Sequence, residues 1–371
     1  MQVALLQSLP VLTHLTSPKY RVTWKTFLLP LIGLAVFFAY IYLFQVDIRE
    51  IIATIQRIDL SFYLLATIAT FLDTLFFALA WHALLRFLSV RISLFREFAF
   101  VWFGIFIDTL IPAESISGEI SKIYLVSKEQ SGTVGKATAS VVAQRLIGMG
   151  INVGTLLMGL ALLLVERSLP GNVLSLIIFL VAVTVFSLMM ILLLCFKENW
   201  SMRILGFIIR FAERISRGRW RLSNLREEAI GATKAFHNAM REYIHAPKTL
   251  IMAFSSTVVS WILSLAVLHF VFLSLEYSQV NWSTIIVVSS IFVALKSIPV
   301  GVPFEVGFPE ITLTTLLILF GVPAGISATA TILMRLLTLW LKFFVGFAAQ
   351  QWVGIKVIAT QTNGQADVAK D

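Results

Sequence analysis

The chain alternates long apolar runs with short polar breaks, and this alternation predicts its elements. Runs near 26–44, 60–86, 137–165, 172–196, 249–274 and 325–353 are long enough to cross a bilayer as helices, which takes roughly 20 apolar residues. Two further apolar segments, 97–133 and 282–322, are interrupted in nearly the same words. Residues 111–123 read IPAESISGEISKI and residues 298–312 read IPVGVPFEVGFPEIT. Pro112 cannot continue a helix and Gly118 permits a turn, while Pro299, Gly301, Gly307 and Pro309 break the second segment. The helix before the first break, 97–111, reaches only about 22 Å, short of the roughly 30 Å hydrocarbon core. Each broken segment is therefore expected to be a re-entrant helical hairpin. Residues 45–59 carry Ile at helical spacing opposite charges and are expected in the membrane interface.

The predicted fold is all-α: a polytopic membrane helical bundle of about six full spans plus two broken hairpins, eight membrane segments in all. It reads as one integral membrane domain. Residues 1–25 form an N-terminal segment, 26–196 a first half with hairpin 97–133, and 197–248 a basic connector. Residues 249–354 form a second half with hairpin 282–322, and 355–371 a tail. Glu119 is followed by Arg145 in the next span, and Glu310 by Arg335 in the span after it. In the predicted topology those two spans run in opposite directions, so the halves read as an inverted repeat, the architecture that places a transport site near mid-membrane.

Composition strengthens this picture. Of 371 residues, 58% are hydrophobic and 13% charged, with a mean hydropathy of +0.89; a soluble domain carries about 25% charged residues. The first apolar run, Val3–Leu12, has no basic region before it and is not expected to be a cleavable signal. With both termini inside, 22 of the 29 Lys and Arg residues fall on the cytoplasmic side and only Arg49, Arg57 and Arg167 outside. The positive-inside rule then predicts a cell-membrane protein with both termini cytoplasmic. This bias explains the net charge of +9, and no nucleic acid is needed as a partner. The connector 197–248 interleaves Arg with Phe, Ile, Trp and Leu, and is expected as one or two amphipathic helices on the inner leaflet.

Candidate chemistry centres on a few ionisable residues in apolar surroundings: Asp73, Asp108, Glu114, Glu119, Glu305, Glu310, Arg145, Lys296, Arg335 and Lys342. Each costs at least about 2.5 kcal/mol at a helix centre, so each is a functional candidate. Glu119, Lys122, Arg145, Glu310, Arg335, Asp108, Lys296 and Glu305 are the expected substrate-binding set. Asp73 and Lys342 rank lowest, since Lys342 can snorkel to the interface. Glu119, Arg145, Glu310 and Arg335 are expected to converge on one water-accessible site. The alternative is structural pairing, Glu119 with Arg145 and Glu310 with Arg335, holding hairpins to spans.

No metal, cofactor or catalytic residue is expected. His14, His82, His237, His245 and His269 lack ligand spacing, and the single Cys195 lies in an apolar run. GMGINVG (148–154) lacks the strand–turn–helix context of a dinucleotide fingerprint. No nucleophile–base arrangement is visible.

WHALLRFLSVRISL (81–94), FGIFIDTLIPAESISGEISKIYLV (103–126) and SVVAQRLIG (140–148) resemble the lysylphosphatidylglycerol synthase/flippase transmembrane-domain family. The resemblance covers nearly the whole chain. It maps the family's Pro…Gly-Glu-x-x-Arg element onto Pro112, Gly118, Glu119 and Lys122, and its Glu-Arg-Leu element onto Arg145. The late Pro…Gly…Glu element, with its Gly-Val and Arg, falls on Pro299, Gly307, Glu310, Gly321, Val322 and Arg335. Three departures stand out: Lys122 for the usual Arg, Gln144 for the Glu before Arg145, and a second hairpin lengthened by VPFE. Members that synthesise aminoacylated lipid carry a soluble transferase domain after the spans. Here 17 residues follow Gly354, so the resemblance implies the lipid-handling membrane half and not the synthase.

The implied function is translocation or binding of a lipid, or of a lipid-linked polar headgroup, between leaflets. The expected partners are membrane lipids with a phosphate-bearing headgroup, held by Arg145, Arg335, Lys122 or Lys296 and by half-helix N-termini. A second copy of the chain or a glycosyltransferase partner are further expectations. The alternatives are a secondary transporter of a small soluble substrate, and an accessory subunit of a lipid-linked glycosyltransferase.

Overall fold

The structure, a computed structural model, describes residues 56, 58–111, 116–166, 171–215, 223–296 and 307–353. Eleven helices and no strand occur among them. They are α1 (Leu60–Phe87), α2 (Leu94–Leu110), α3 (Ile116–Glu129), α4 (Val134–Glu166), α5 (Gly171–Phe196) and α6 (Glu198–Ile215). There follow α7 (Ser223–Ile244), α8 (Pro247–Ser274), α9 (Trp282–Lys296), α10 (Phe308–Leu319) and α11 (Ala324–Val353).

Five of these, α1, α4, α5, α8 and α11, are long and apolar enough to cross a membrane, and they fall on five of the six expected spans. The sixth, 26–44, lies outside the described residues, as does nearly all of the interfacial segment 45–59. The protein is a polytopic helical membrane protein.

Side-chain ties show which helix ends share a face. Tyr243 Oη at the end of α7 donates to the Leu84 carbonyl at the end of α1, at 2.9 Å. His237 Nδ1 lies 2.7 Å from the Cys195 carbonyl at the end of α5. Lys136 Nζ, at the start of α4, donates to the Leu88 carbonyl at 3.0 Å. The end of α1, the start of α4, the end of α5 and the start of α8 thus meet on one basic face beneath α7. On the opposite face the backbone of Asp59 donates to the Ser274 carbonyl at 2.8 Å, joining the start of α1 to the end of α8.

The first hairpin, α2 with α3, both enters and leaves at the basic face. Arg96 pairs with Glu129 across its base, and the Arg91 backbone donates to Gln130 Oε1 at 3.0 Å. Beside them the fully buried Glu97 carboxylate lies 2.8 Å from His82 Nδ1. The second hairpin, α9 with α10, follows α8 and is entered from the opposite face. It precedes α11, which returns to the basic face with Trp352 edge-on to Phe95 of α2. The two hairpins therefore enter from opposite faces, as an inverted repeat requires. With 17, 14, 15 and 12 residues, all four hairpin helices are shorter than a full span.

Two of the expected hairpin breaks have different roles. Gly118 lies within the first turn of α3, not at the bend, and its value is closeness. A Cβ there would stand 2.4 Å from the Gly104 carbonyl oxygen of α2 and 2.2 Å from Asp108 Oδ2, so only a glycine lets the two hairpin arms touch. Pro309 lies in the first turn of α10, where a missing N–H leaves no helical bond unmade. It begins a helix and interrupts none. Gly307 before it has φ +98°, a conformation that L side chains rarely adopt. Pro112, Pro299 and Gly301 lie outside the described residues.

A charged cavity between the spans

Asp73 sits midway along α1, where burial of an unpaired carboxylate would be prohibitive. It is not unpaired. Ser260 Oγ of α8 donates to its Oδ1 at 2.6 Å, and Lys342 Nζ of α11 donates to its Oδ2 at 3.3 Å. Three spans are thereby joined through one side chain. Lys342 directly follows a π-helical turn, Leu336–Leu341, within α11. Such turns recur at functional sites because the inserted residue rotates the helix face.

Asp73 and Lys342 line a cavity of about 570 Å³, the size of a small-molecule site. Its wall also holds Asp108, Glu119, Lys122 and Arg145. Arg145 Nη1 donates to both Glu119 oxygens at 3.1 Å, tying the first hairpin to α4. Both members are partly exposed, at 32% and 25%. Gln144, beside Arg145, donates from Nε2 to the Phe77 carbonyl at 2.8 Å. A Glu at that position could not donate this bond, so here the amide fastens α4 to α1.

Lys122 is set apart from the other two cations of the wall. It is only 6% exposed, and no described carboxylate lies within ion-pair distance of its ammonium. Nζ instead sits 5.2 Å from the Phe77 ring centre and 5.1 Å from that of Trp81, an arrangement that holds a cation by the rings' quadrupoles. Trp81 is itself fixed by donating from Nε1 to Ser140 Oγ at 3.0 Å.

The second expected pair forms elsewhere. Arg335 Nε donates to Glu310 Oε1 at 2.7 Å, with both side chains 5% exposed. Neither residue lines the cavity. The sequence expectation of one site holding all four residues therefore gives way to two separate pairs, one cavity-lining and one enclosed. The reason is local: Glu310 Oε2 accepts from the Gly307 backbone at 2.6 Å, which turns its carboxylate onto the start of its own helix. In the first hairpin Asp108, near the end of α2, covers the start of α3, accepting from Gly118 N at 2.6 Å and Ser117 Oγ at 2.7 Å. Both half-helix N-termini expected to hold phosphate thus already hold an internal carboxylate. The side chain of Lys296 and the whole of Glu305 and Glu114 lie outside the described residues.

A family model described as the lysylphosphatidylglycerol synthase TM region matches residues 30–346. The chain belongs to this family. Among its relatives is a UPF0104 membrane protein of Pyrococcus horikoshii, 24% identical over 326 residues, which are 87% of this chain and 95% of the relative. A UPF0104 membrane protein of Methanothermobacter thermautotrophicus is 22% identical over 311 residues, 83% of this chain and 90% of that one. In this member of the lysylphosphatidylglycerol synthase TM family the Gly-Glu step of the first hairpin makes the contact between hairpin and α4: Gly118 closes the hairpin and Glu119 reaches Arg145.

Sequence reasoning ranked Asp73 and Lys342 last, yet both stand in the cavity wall. Their signal was present, since each is a charge in an apolar run, but their partnership spans 269 positions and only folding creates it. Asn152, Thr184, Ser187 and Thr257 also line the cavity and were not singled out, and Gln144 stood out only as a departure from the family's pattern. Neutral polar residues inside apolar runs were the signal that could have found them.

Proposed function

We propose that this protein binds the phosphate-bearing headgroup of a membrane lipid, or of a lipid-linked polar group, in the charged cavity and carries it between leaflets. The observation that carries this reading is Lys122, a buried cation in the cavity wall that stands over two aromatic rings and has no carboxylate within ion-pair distance among the described residues. A desolvated ammonium is strongly disfavoured unless an anion accompanies it at some stage of the working cycle. Phosphate supplies that anion, and Arg145 stands in the same wall as a second donor once Glu119 releases it. The family description names the membrane region of a lipid synthase, in keeping with lipid as the cargo.

Reconstituted vesicles of phosphatidylcholine containing a trace of fluorescent phosphatidylglycerol test the reading. Wild-type protein should move the label across the bilayer faster than empty vesicles do. Lys122→Gln at equal incorporation should slow it by roughly tenfold or more, the worth of one charge-assisted hydrogen bond. Wild-type protein that takes up free glycerol phosphate but leaves the labelled lipid in place would overturn the lipid assignment in favour of a soluble substrate.

The basic face, in this proposal, is cytoplasmic, because Lys and Arg concentrate on the retained side of membrane proteins. A Cys replacing Glu276, on the opposite face, should react with an impermeant maleimide added to intact cells. One replacing Asn199 should react only after the cells are opened. The reverse pattern would turn the topology over.

A further inference from the structure

The connector 197–248 divides into two helices with opposite fates. α7 buries His237, Ala239, Met240 and Tyr243 against the bundle, so its apolar face is already used. α6 is different. Trp200, Ile204, Phe207, Ile208 and Phe211 fall on one arc at 100° per residue, and they are 46–65% exposed. The Phe207 and Phe211 rings stack side by side with centroids 6.3 Å apart.

We infer that α6 lies in the bilayer interface and binds anionic phospholipid, its aromatic arc in the acyl boundary and its arginines at the phosphates. Chain continuity identifies the occupant. α5 is a membrane span whose Phe179, Phe186, Met189 and Phe196 are exposed on the outside of the bundle, the surface that lipid covers. Only Lys197 separates α5 from α6, and Ser201 Oγ donates back to the Leu194 carbonyl at 2.8 Å. The first turn of α6 therefore starts at the membrane surface, and its apolar arc continues the lipid-covered one. Aromatic and aliphatic side chains opposite arginines are the composition that such interfacial helices use.

Charge selects the lipid. Residues 197–221 contain seven Lys and Arg against Glu198 and Glu213. Glu198 faces Arg241 of α7 at 3.4 Å, which leaves Arg203 and Arg210, both exposed beside the arc, for the leaflet. This inference goes beyond the cavity reading and holds whether or not the cavity moves a lipid.

The test uses the full chain with Cys195 replaced by Ser, or by Ala should the first background fold poorly. Single cysteines at Phe207 and at Asn199, on the polar side, carry an environment-sensitive dye. Vesicles of phosphatidylcholine alone, and with phosphatidylglycerol as a third of the lipid, provide the two surfaces. The dye at 207 should be quenched by acyl-chain brominated lipid and shielded from aqueous iodide, and the dye at 199 should behave in reverse. Brominated phosphatidylglycerol should quench at 207 more strongly than brominated phosphatidylcholine. Arg203→Gln and Arg210→Gln should each reduce that preference by roughly fivefold, the effect of one basic residue near an anionic surface. Iodide access at 207 in both vesicles would overturn the proposal, as would lipid quenching that disappears as protein is concentrated, the sign of a second copy on this face. Equal quenching by the two brominated lipids would overturn the anionic selectivity.

Discussion

Arg335→Ala is expected to lower stability by about 3–5 kcal/mol, the loss typical of breaking a buried ion pair from one side. The pair is almost fully enclosed, at 5% exposure for each partner. Removing the guanidinium strands the Glu310 carboxylate where water cannot reach it and leaves a void beside it. Glu310→Gln should be milder, because the amide is nearly isosteric, although it loses the charge that holds the Gly307 N–H. The double replacement Glu310→Leu with Arg335→Met should recover most of the loss, since well-packed apolar side chains substitute for buried pairs at little or no penalty. Thermal unfolding of the purified protein in detergent reads all three. If Arg335→Ala melts like the wild type, the pair does not hold the second hairpin to α11.

The cavity pair should respond in the opposite way. Glu119→Gln and Arg145→Ala are expected to bring lipid translocation down to the level of empty vesicles while changing stability by no more than about 1 kcal/mol, the scale of a solvent-accessible pair. Their partial exposure is the reason: water already compensates each charge, so its loss is felt by the cargo more than by the fold. Flux measured per folded molecule separates the outcomes. Flux that falls only as far as folded protein falls would make Glu119–Arg145 a structural clasp, like its counterpart in the second half. The two pairs, so alike in sequence spacing, are thus predicted to part company in experiment, because one faces water and the other faces protein.

The inference for α6 belongs to the same contrast. α6 and α7 are both amphipathic and both sit in the basic connector. α7 has spent its apolar face on the ends of α1, α4 and α5, and α6 has not. Burial decides which of two similar sequences is free to meet the bilayer.

Much of the architecture was legible without coordinates. An apolar run of span length has one economical solution in lipid, a helix that satisfies its own backbone, so the five described spans could be read directly. Pro112 and the Gly-Pro alternation of 299–309 broke helical periodicity enough to announce hairpins, and the paired spacings 119–145 and 310–335 announced their ion pairs. Those features are local, or lie on neighbouring elements, and composition alone constrains them. The tertiary structure decided what lies across the bundle. It brought Asp73 to Lys342 and Ser260, turned Asp108 onto the start of the following helix and Glu310 onto the start of its own, set Lys122 beside Phe77 and Trp81, and kept Arg335 out of the cavity. Hydropathy records how much each residue dislikes lipid but carries no direction. Whether a charge meets a partner, a ring or water depends on how helices rotate and pack, and packing is settled by contacts between residues far apart in the chain.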